Sequence, residues 1–146
     1  MSLETQAYVI IDLVMACLFS GIIGMDRERK LEESERSAAG LRTHILVGLG
    51  ACLFTLVSRH GFSAADTSRV AAQVVSGIGF LGAGVIFVKR EHVKNLTTAA
   101  SIWTTAAVGM AVAVDAWLLA AAATVIIWGI LVLLRRFEEK QFSHKS

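Results

Sequence analysis

Asp12 is the residue whose position most strongly suggests chemistry, because it lies inside the apolar segment from Ala7 to Met25. A carboxylate at the centre of a membrane costs about 2.5–3.5 kcal/mol, which the apolar residues of this segment only narrowly offset. In a helix, Asp12 shares a face with Ala16 and Ser20, whose small side chains favour contact with other helices. Two alternatives follow: a functional carboxylate inside a helix bundle, or a hydrated carboxylate near the membrane interface.

Three aspartates are candidate ligands for a divalent cation. Asp12, Asp66 and Asp115 are all predicted at the same end of the apolar segments. Magnesium prefers oxygen ligands and keeps several of its waters, so a few carboxylates at a wet surface suit it. Mg²⁺ bound by these three residues is one hypothesis, and solvated acids are the alternative. The sequence contains no pattern that requires a resident cofactor.

A run rich in glycine occupies the third apolar segment, between Ser76 and Gly84. It lacks the spacing of a phosphate-binding loop and the lysine that follows one, so nucleotide binding is excluded. Two structures remain: a helix that packs tightly against its neighbours, which we favour, and a locally unwound segment whose carbonyl groups face an ion. The glycines are Gly77, Gly79, Gly82 and Gly84, and Arg69 and Gln73 precede them.

A second polar group is predicted at the opposite end of the segments, where Asp26, Arg27 and Glu28 follow the first segment. Arg42 and His44 begin the second. Because both stretches meet one membrane face, these five residues form our candidate functional patch. The alternative is structural, with the two arginines anchoring helices among lipid phosphates and pairing with neighbouring acids. The full candidate set also includes Arg69, Gln73, the four glycines, Thr97 and Thr98.

Enzymatic chemistry has no support in the sequence. We find no Ser/His/Asp set, no cysteines and histidines at metal-ligand spacing, and no paired carboxylates on one helix face. Cys17 and Cys52 both lie inside apolar segments, where small packing residues are a better interpretation than a disulfide or a nucleophile. We therefore predict a protein that is not an enzyme.

Five apolar segments position these residues, in a chain of 146 residues with 55% apolar residues, 18% charged residues and a mean hydropathy of +0.62. About 20 apolar residues cross the hydrocarbon core as a helix, and so small a chain has too little interior to bury five such segments in a soluble fold. We therefore predict an all-α membrane protein, a five-helix transmembrane bundle that forms a single domain over residues 1–146. The predicted spans are 7–25, 41–58, 70–88, 96–114 and 116–134.

The basic residues predict the orientation of the bundle. Twelve of the fourteen Lys and Arg residues lie at or between the first and second spans, between the third and fourth, or after the fifth. Arg59 and Arg69 fall on the other side. The positive-inside rule then puts the amino terminus outside and the carboxyl terminus in the cytoplasm. The net charge of +2 reflects this topology and gives no reason to expect nucleic-acid binding.

Two connections between spans have features of their own. Residues 26–39 interleave acids and bases, and we favour a solvated connector over a short surface helix or a helical extension of the first span. Between the fourth and fifth spans only Asp115 interrupts the apolar sequence. An unbroken helix of that length would be nearly twice as long as the hydrocarbon core is thick. We therefore predict a tight turn at Val114, Asp115 and Ala116.

Small residues spaced four apart also predict where helices meet, because close approach of two backbones in lipid depends on small side chains. We expect two such stripes to face other helices. They are Ala16, Ser20 and Gly24 in the first span, and Ser101, Thr105, Gly109 and Ala113 in the fourth.

Five short strings of the sequence form a specific combination. They are Gly24 to Glu28, Ala39 to His44, Asp66 with Ser68 and Arg69, Gln73 to Gly84, and Leu96 to Ala100. Together they resemble the MgtC/SapB family of bacterial membrane proteins, over about residues 20–114. The departures are Asp26, where the family more often has Glu, and Asn95, where Gly is usual. Longer members add a soluble cytoplasmic domain, which we expect this chain to lack.

The resemblance implies a protein of the bacterial cytoplasmic membrane linked to growth at low magnesium, to acid stress and, in pathogens, to survival inside host cells. Two functions compete. The first is a non-enzymatic regulator that docks helix to helix on a membrane partner, and the resemblance implies the membrane sector of F-type ATP synthase as such a partner. The second is a transporter or sensor of magnesium or another cation.

We favour the regulator, because the polar residues are predicted near the ends of the spans rather than along a continuous path through the bilayer. A transporter would need a hydrated path, which five helices of one protomer can barely enclose. We also expect a homodimer within the lipid bilayer, since twofold dimers are the commonest closed assembly.

Overall fold

The computed structural model describes residues 2–33, 39–62, 66, 68–89 and 92–143. Its five helices are each long and apolar enough to cross a membrane, so the predicted all-α bundle of five membrane helices is confirmed. Two short strands separate the third helix from the fourth. In chain order the elements are α1 (Leu3–Glu33), α2 (Leu41–Gly61), α3 (Ser68–Val85), β1 (Phe87–Lys89), β2 (His92–Lys94), α4 (Leu96–Ala113) and α5 (Trp117–Ser143).

Three helices are longer than the apolar segments that predicted them. Helix α1 continues through the charged run as far as Glu33, α2 continues past Ser58 to Gly61, and α5 continues past Leu134 to Ser143. Residues 26–33 are therefore helical and continue the first span, as one of the alternatives has it. Glu, Lys and Arg are good helix formers, and acids and bases three or four residues apart attract one another along a helix.

Helix α3 is shorter than predicted, because it ends at Val85 and the chain then forms an antiparallel hairpin. Phe87 pairs with Lys94, and Val88 pairs with Val93. Valine and phenylalanine favour strands, which explains a hairpin in a stretch that apolarity alone assigned to a helix. Asn95 follows in the left-handed conformation, with φ of 66°, and its Nδ2 donates to the carbonyl oxygen of Val85 at 3.1 Å.

The centre of the bundle is a close contact of α1, α2 and α4. A Cβ atom added to Gly109 on α4 would overlap the carbonyl oxygen of Gly48 on α2. A Cβ atom added to Gly48 would in turn overlap the hydroxyl of Ser20 on α1. These three helices are therefore in contact through backbone and very small side chains, as small residues allow in a membrane.

Both predicted small-residue stripes face other helices. On α1, Ala16 and Ser20 are fully buried, and a Cβ atom on Gly24 would come within 2.9 Å of Leu41 Cα. On α4, the whole predicted stripe is buried. Both stripes meet Gly48, which belongs to neither predicted stripe.

The turn between α4 and α5 lies where it was predicted, at Val114–Ala116. The amide of Ala116 donates to the carbonyl oxygen of Ala111 at 3.1 Å, and the amide of Asp115 donates to that of Val112 at 3.0 Å. This pair of bonds is the Schellman motif, which needs a left-handed residue after the helix. Asp115 supplies it, with φ of 61°.

Helix α3 lies at the edge of the bundle. Only 6% of its membrane-spanning residues are buried, against 44% in α2 and 56% in α4. It packs mainly on α4 and meets α2 only loosely. Most of its surface is therefore available to lipid or to another protein.

Candidate functional site

Asp12 lies on α1 and is buried where this helix contacts α5, with 3% of its surface exposed. Its Oδ1 accepts a hydrogen bond of 2.8 Å from the indole Nε1 of Trp117, the first residue of α5. Of the two alternatives for Asp12, the structure therefore favours a carboxylate inside the bundle. An indole N–H is a donor only, so this contact suits either an ionised or a neutral carboxyl group.

The other two candidate metal ligands have separate protein partners. Asp115 forms an ion pair of 3.0 Å with Arg59, which also donates to the carbonyl oxygen of Ala113. Asp66 Oδ1 accepts hydrogen bonds from the hydroxyl and the amide of Ser68, at 2.6 and 2.9 Å, and these bonds lower the pKa of Asp66. Within the described part of the chain, no three acidic, histidine or cysteine side chains are grouped as metal ligands.

At the opposite end of α1, Asp26 and Arg27 form a buried ionic cluster with Arg135 of α5. The Asp26 carboxylate lies 3.6 Å from Arg27 Nη2 and 3.3 Å from Arg135 Nη1. Asp26 and Arg27 each expose only 3% of their side chains. Asp26 Oδ2 and Arg27 Nε have no hydrogen-bond partner among the residues that the structure describes. Buried polar groups without such a partner keep their cost of desolvation.

The next turn of α1 connects to the start of α2. Glu28 Oε2 accepts a hydrogen bond of 2.8 Å from the amide of Leu41, the first residue of α2. The first amides of a helix lack partners within the helix, and a carboxylate there also complements the helix dipole. Gly40, at the cap position of α2, has no side chain that could cap the helix, so the Glu28 carboxylate caps it instead.

The imidazole of His44 links α2 to α4 and is fully buried. Its Nδ1 lies 2.8 Å from the carbonyl oxygen of Gly40 and must carry a proton, because a carbonyl group only accepts. Its Nε2 lies 3.0 Å from Ser101 Oγ, which also lies 2.8 Å from the carbonyl oxygen of Thr98. The single hydroxyl hydrogen goes to Thr98 if the ring is doubly protonated, or to Nε2 if it is neutral. The link can therefore take up a proton without breaking.

The candidate patch is only partly assembled by the fold. Asp26, Arg27, Glu28, His44 and Thr98 lie at one end of the bundle, joined by the contacts above. Arg42 and Thr97 are exposed at the same end, and Arg69 and Gln73 are exposed towards the opposite end of α3. Arg135 was not among the predicted site residues, although it is the first charged residue after the fifth apolar segment.

The glycines of α3 are part of a regular helix, so the locally unwound alternative is not what the structure contains. Gly82 packs against Ala99 of α4, with 3.7 Å between its added Cβ and that of Ala99. Cβ atoms added to Gly77, Gly79 and Gly84 would meet nothing within 4 Å. Close packing within the protomer therefore accounts for the glycine at Gly82, and it does not account for the other three.

A model of the MgtC family matches residues 13–140. The chain belongs to the MgtC family. A relative from Escherichia coli K12, named "Putative magnesium transporter YhiD", is 46% identical over 73% of this chain and 51% of its own length. The proteins named MgtC from Brucella abortus and Salmonella typhimurium are 44% and 40% identical, over 84% and 90% of this chain and 50% and 54% of theirs.

This MgtC-family chain thus spans about half the length of the curated relatives it matches. No solved structure matches it. The expected family resemblance and a multi-pass membrane protein are both confirmed.

In this family member, three of the strings that carry the resemblance meet at one end of the bundle. Residues 24–28 lie in α1, residues 39–44 precede and begin α2, and residues 96–100 begin α4. The ionic cluster, the Glu28 contact and the His44 link all lie among them. The string at 73–84, by contrast, forms the exposed helix α3.

An apolar groove of about 550 Å³ separates α2 from α3. Cβ atoms added to Gly50 and Gly77 would meet nothing within 4 Å, so the two glycines leave it open. Thr43 and Gln73 contribute the polar side chains of its wall. The remaining wall residues are Leu46, Val47, Ala51, Phe54, Val70, Val74, Ile78 and Leu81.

Proposed function

We propose that this protein is a non-enzymatic regulator of the bacterial cytoplasmic membrane, linked to magnesium homeostasis, that acts by docking through α3 on another membrane protein. The link to magnesium rests on the name of the Escherichia coli relative, and the five helices that are long and apolar enough to cross a membrane support a multi-pass protein. The docking mechanism rests on the surface of α3.

The outer face of α3 is the observation that carries the proposal. Ala72, Ser76, Gly79 and Ala83 recur every three or four residues and are all exposed, which makes one small-residue stripe. Phe80, 81% exposed, stands beside it. A face that meets only lipid needs no such stripe, whereas small residues are what allow two membrane helices to approach closely.

The contrast with α5 supports a protein neighbour for α3. The α3 span has a mean hydropathy of 1.2 with 6% of its residues buried, and the α5 span has 2.5 with 17% buried. A helix covered mainly by lipid should be the more apolar one. Helix α3 reverses that relation, which favours a partner that covers it.

The closed centre of the bundle supports docking over transport. Polar side chains are in fact buried at mid-span as well as near the ends, among them Ser20, Thr55 and Thr105. Our expectation that they lie only near the ends was wrong. However, Thr55 and Thr105 donate to carbonyl oxygens of their own helices, and the Gly48–Gly109 contact leaves no width for a hydrated path there.

The partner that the family resemblance suggests is the membrane sector of F-type ATP synthase. The test is co-purification of the full chain with the synthase from membranes, together with the ATP hydrolysis rate of the complex. We expect association, and an altered rate when the protein is added. Gly79→Leu should weaken association at least tenfold, because a side chain there has open space within the protomer but would obstruct close approach by a partner.

Gly129→Leu is the matched control, because Gly129 lies on α5 and a Cβ there also meets nothing within 4 Å. Association that persists unchanged in Gly79→Leu would contradict docking through α3. A shift of the Gly79→Leu protein from dimer to monomer, without any bound synthase in the parent protein, would instead identify a second copy as the neighbour of α3.

Magnesium transport is the second candidate, favoured by the relative's name and by the buried carboxylate of Asp12. Its test is Mg²⁺ flux in sealed liposomes that contain the purified protein. Asp12→Asn keeps an oxygen that can accept from Trp117, so it should fold and yet lose flux if the carboxylate charge is needed. Protein-dependent flux that Asp12→Asn removes would replace the regulator by a transporter.

A further inference from the structure

We propose that the groove between α2 and α3 binds an anionic phospholipid, with one acyl chain along the groove and the phosphate at the end marked by Thr43 and Leu81. This site lies on the face of α3 that carries Gly77, almost opposite the stripe that carries Gly79. It is therefore independent of the proposed docking function.

The dimensions of the groove match one leaflet of a bilayer. From Thr43 to Phe54 it follows α2 for eleven residues, which is about 16 Å at 1.5 Å per residue. Half of the hydrocarbon core is about 15 Å thick. A chain that enters at the Thr43 end therefore reaches about the middle of the membrane, as an acyl chain does.

The lining of the groove suits a lipid chain, which is a single file of methylene groups. Ten of the twelve wall residues carry no polar side-chain atom, which suits hydrocarbon.

Two unpaired cations mark the end of the groove where a phosphate would lie. Arg42 precedes Thr43 on α2, and Lys94 ends β2 beside Asn95, whose side chain is bonded to Val85 at the end of α3. Both basic side chains are exposed, and neither has an ion-pair partner among the residues that the structure describes. Basic sites between membrane helices bind anionic headgroups.

The opposite end of the groove is less suited to an anion. Arg69 is the exposed base beside Val70 there, and Asp66, three residues earlier, places an acid at the same end. At the Thr43 end the acid is Glu28, which accepts from the Leu41 amide, but two exposed bases, Arg42 and Lys94, lie there. The charge pattern therefore places the headgroup at the Thr43 end.

The test measures lipid retained by the purified full-length chain in native mass spectrometry. The probes are phosphatidylglycerol and phosphatidylcholine with identical acyl chains. We expect at least tenfold stronger retention of phosphatidylglycerol. Gly77→Leu should reduce retention of both lipids at least tenfold, because its side chain enters the groove without a clash. Gly129→Leu and Gly79→Leu are matched controls that should retain lipid as the parent protein does.

The double variant Arg42→Gln, Lys94→Gln should bind phosphatidylglycerol as weakly as phosphatidylcholine, and Arg69→Gln should change nothing. Equal retention of the two lipids by the parent protein would overturn the anionic site, and full retention by Gly77→Leu would overturn the groove. Loss of preference in Arg69→Gln alone would overturn the placement of the headgroup. Copies cross-linked to each other through Gly50→Cys and Gly77→Cys, with no lipid bound, would show a second copy as the occupant.

Discussion

At the scale of single residues, Asp12 and His44 are buried polar side chains with few hydrogen-bond partners among the described residues. Asp12 accepts from Trp117, and His44 contacts Ser101 and the carbonyl oxygen of Gly40. A buried group that loses its partner keeps the cost of desolvation without compensation, which is commonly about 1–3 kcal/mol. Removing one partner therefore tests each contact directly.

Trp117→Phe should destabilise the protein by about 1–3 kcal/mol, because Asp12 Oδ1 loses its indole donor while an aromatic ring remains. The measurement is unfolding in detergent, followed by circular dichroism. Trp128→Phe is the control on the same helix, and its ring is 43% exposed. Equal losses in the two variants would show that the Trp117 hydrogen bond contributes nothing specific.

Gly109→Ala should destabilise the bundle by about 1–3 kcal/mol, the usual cost of forcing one extra carbon into a filled core. Its Cβ would overlap the backbone of Gly48, so α2 and α4 would have to separate. Gly129→Ala has open space around the new atom and should leave stability unchanged or slightly higher. The same unfolding assay compares the two, and a neutral Gly109→Ala would disprove the close contact.

At the scale of elements, hydropathy predicts the five helices well because each must satisfy its own backbone in lipid. The ends were less predictable. Apolarity cannot show that α1 continues to Glu33, since charged helix formers extend a helix beyond the membrane as readily as they end a span. It also cannot separate the last turn of a helix from the apolar residues of the β1–β2 hairpin.

Asp66 lies just before α3 and makes the stability of the first turn of this helix depend on pH. The hydroxyl and amide of Ser68 donate to its carboxylate and hold the pKa of Asp66 below its ordinary value of 3.8. The folded state thus prefers the ionised carboxylate, so the stabilisation that Asp66 gives to the fold is fully present above pH 3.8. That stabilisation is lost as the pH falls through the lowered pKa of the folded state.

We therefore expect the first amides of α3 to lose protection from hydrogen exchange as the pH falls from about 5 to about 2, after correction for intrinsic rates. The measurement is amide exchange by NMR in detergent micelles. Asp66→Asn can still accept a hydrogen bond but does not titrate, so its corrected protection should stay flat. The same pH dependence in that variant would assign the effect to another group.

At the scale of the whole molecule, the sequence predicted which residues gather at one end but not how they connect. Asp26, Arg27 and His44 were placed together because two charged connections meet at one membrane face. Arg135 joins them only because α5 packs beside α1, and no spacing within the chain reveals that neighbour. The three candidate metal ligands illustrate the converse, since a common membrane end did not bring them into one group.

The orientation of the bundle remains a prediction from its basic residues. We expect a cysteine at Ser2→Cys to react with an impermeant maleimide added outside intact cells, and a reporter fused to the carboxyl terminus to be active only in the cytoplasm. The parent protein is the labelling control, since Cys17 and Cys52 lie within spans. Labelling of both ends from the same compartment would contradict five membrane crossings.

The turn at Asp115 also constrains how the chain enters the membrane during synthesis. With three residues between them, α4 and α5 can both lie in lipid only as an antiparallel pair. Helix α5, with a mean hydropathy of 2.5 against 1.4 for α4, contributes more of the free energy that transfers this pair into the bilayer. We therefore expect a charged substitution in α5 to reduce insertion of α4 as well.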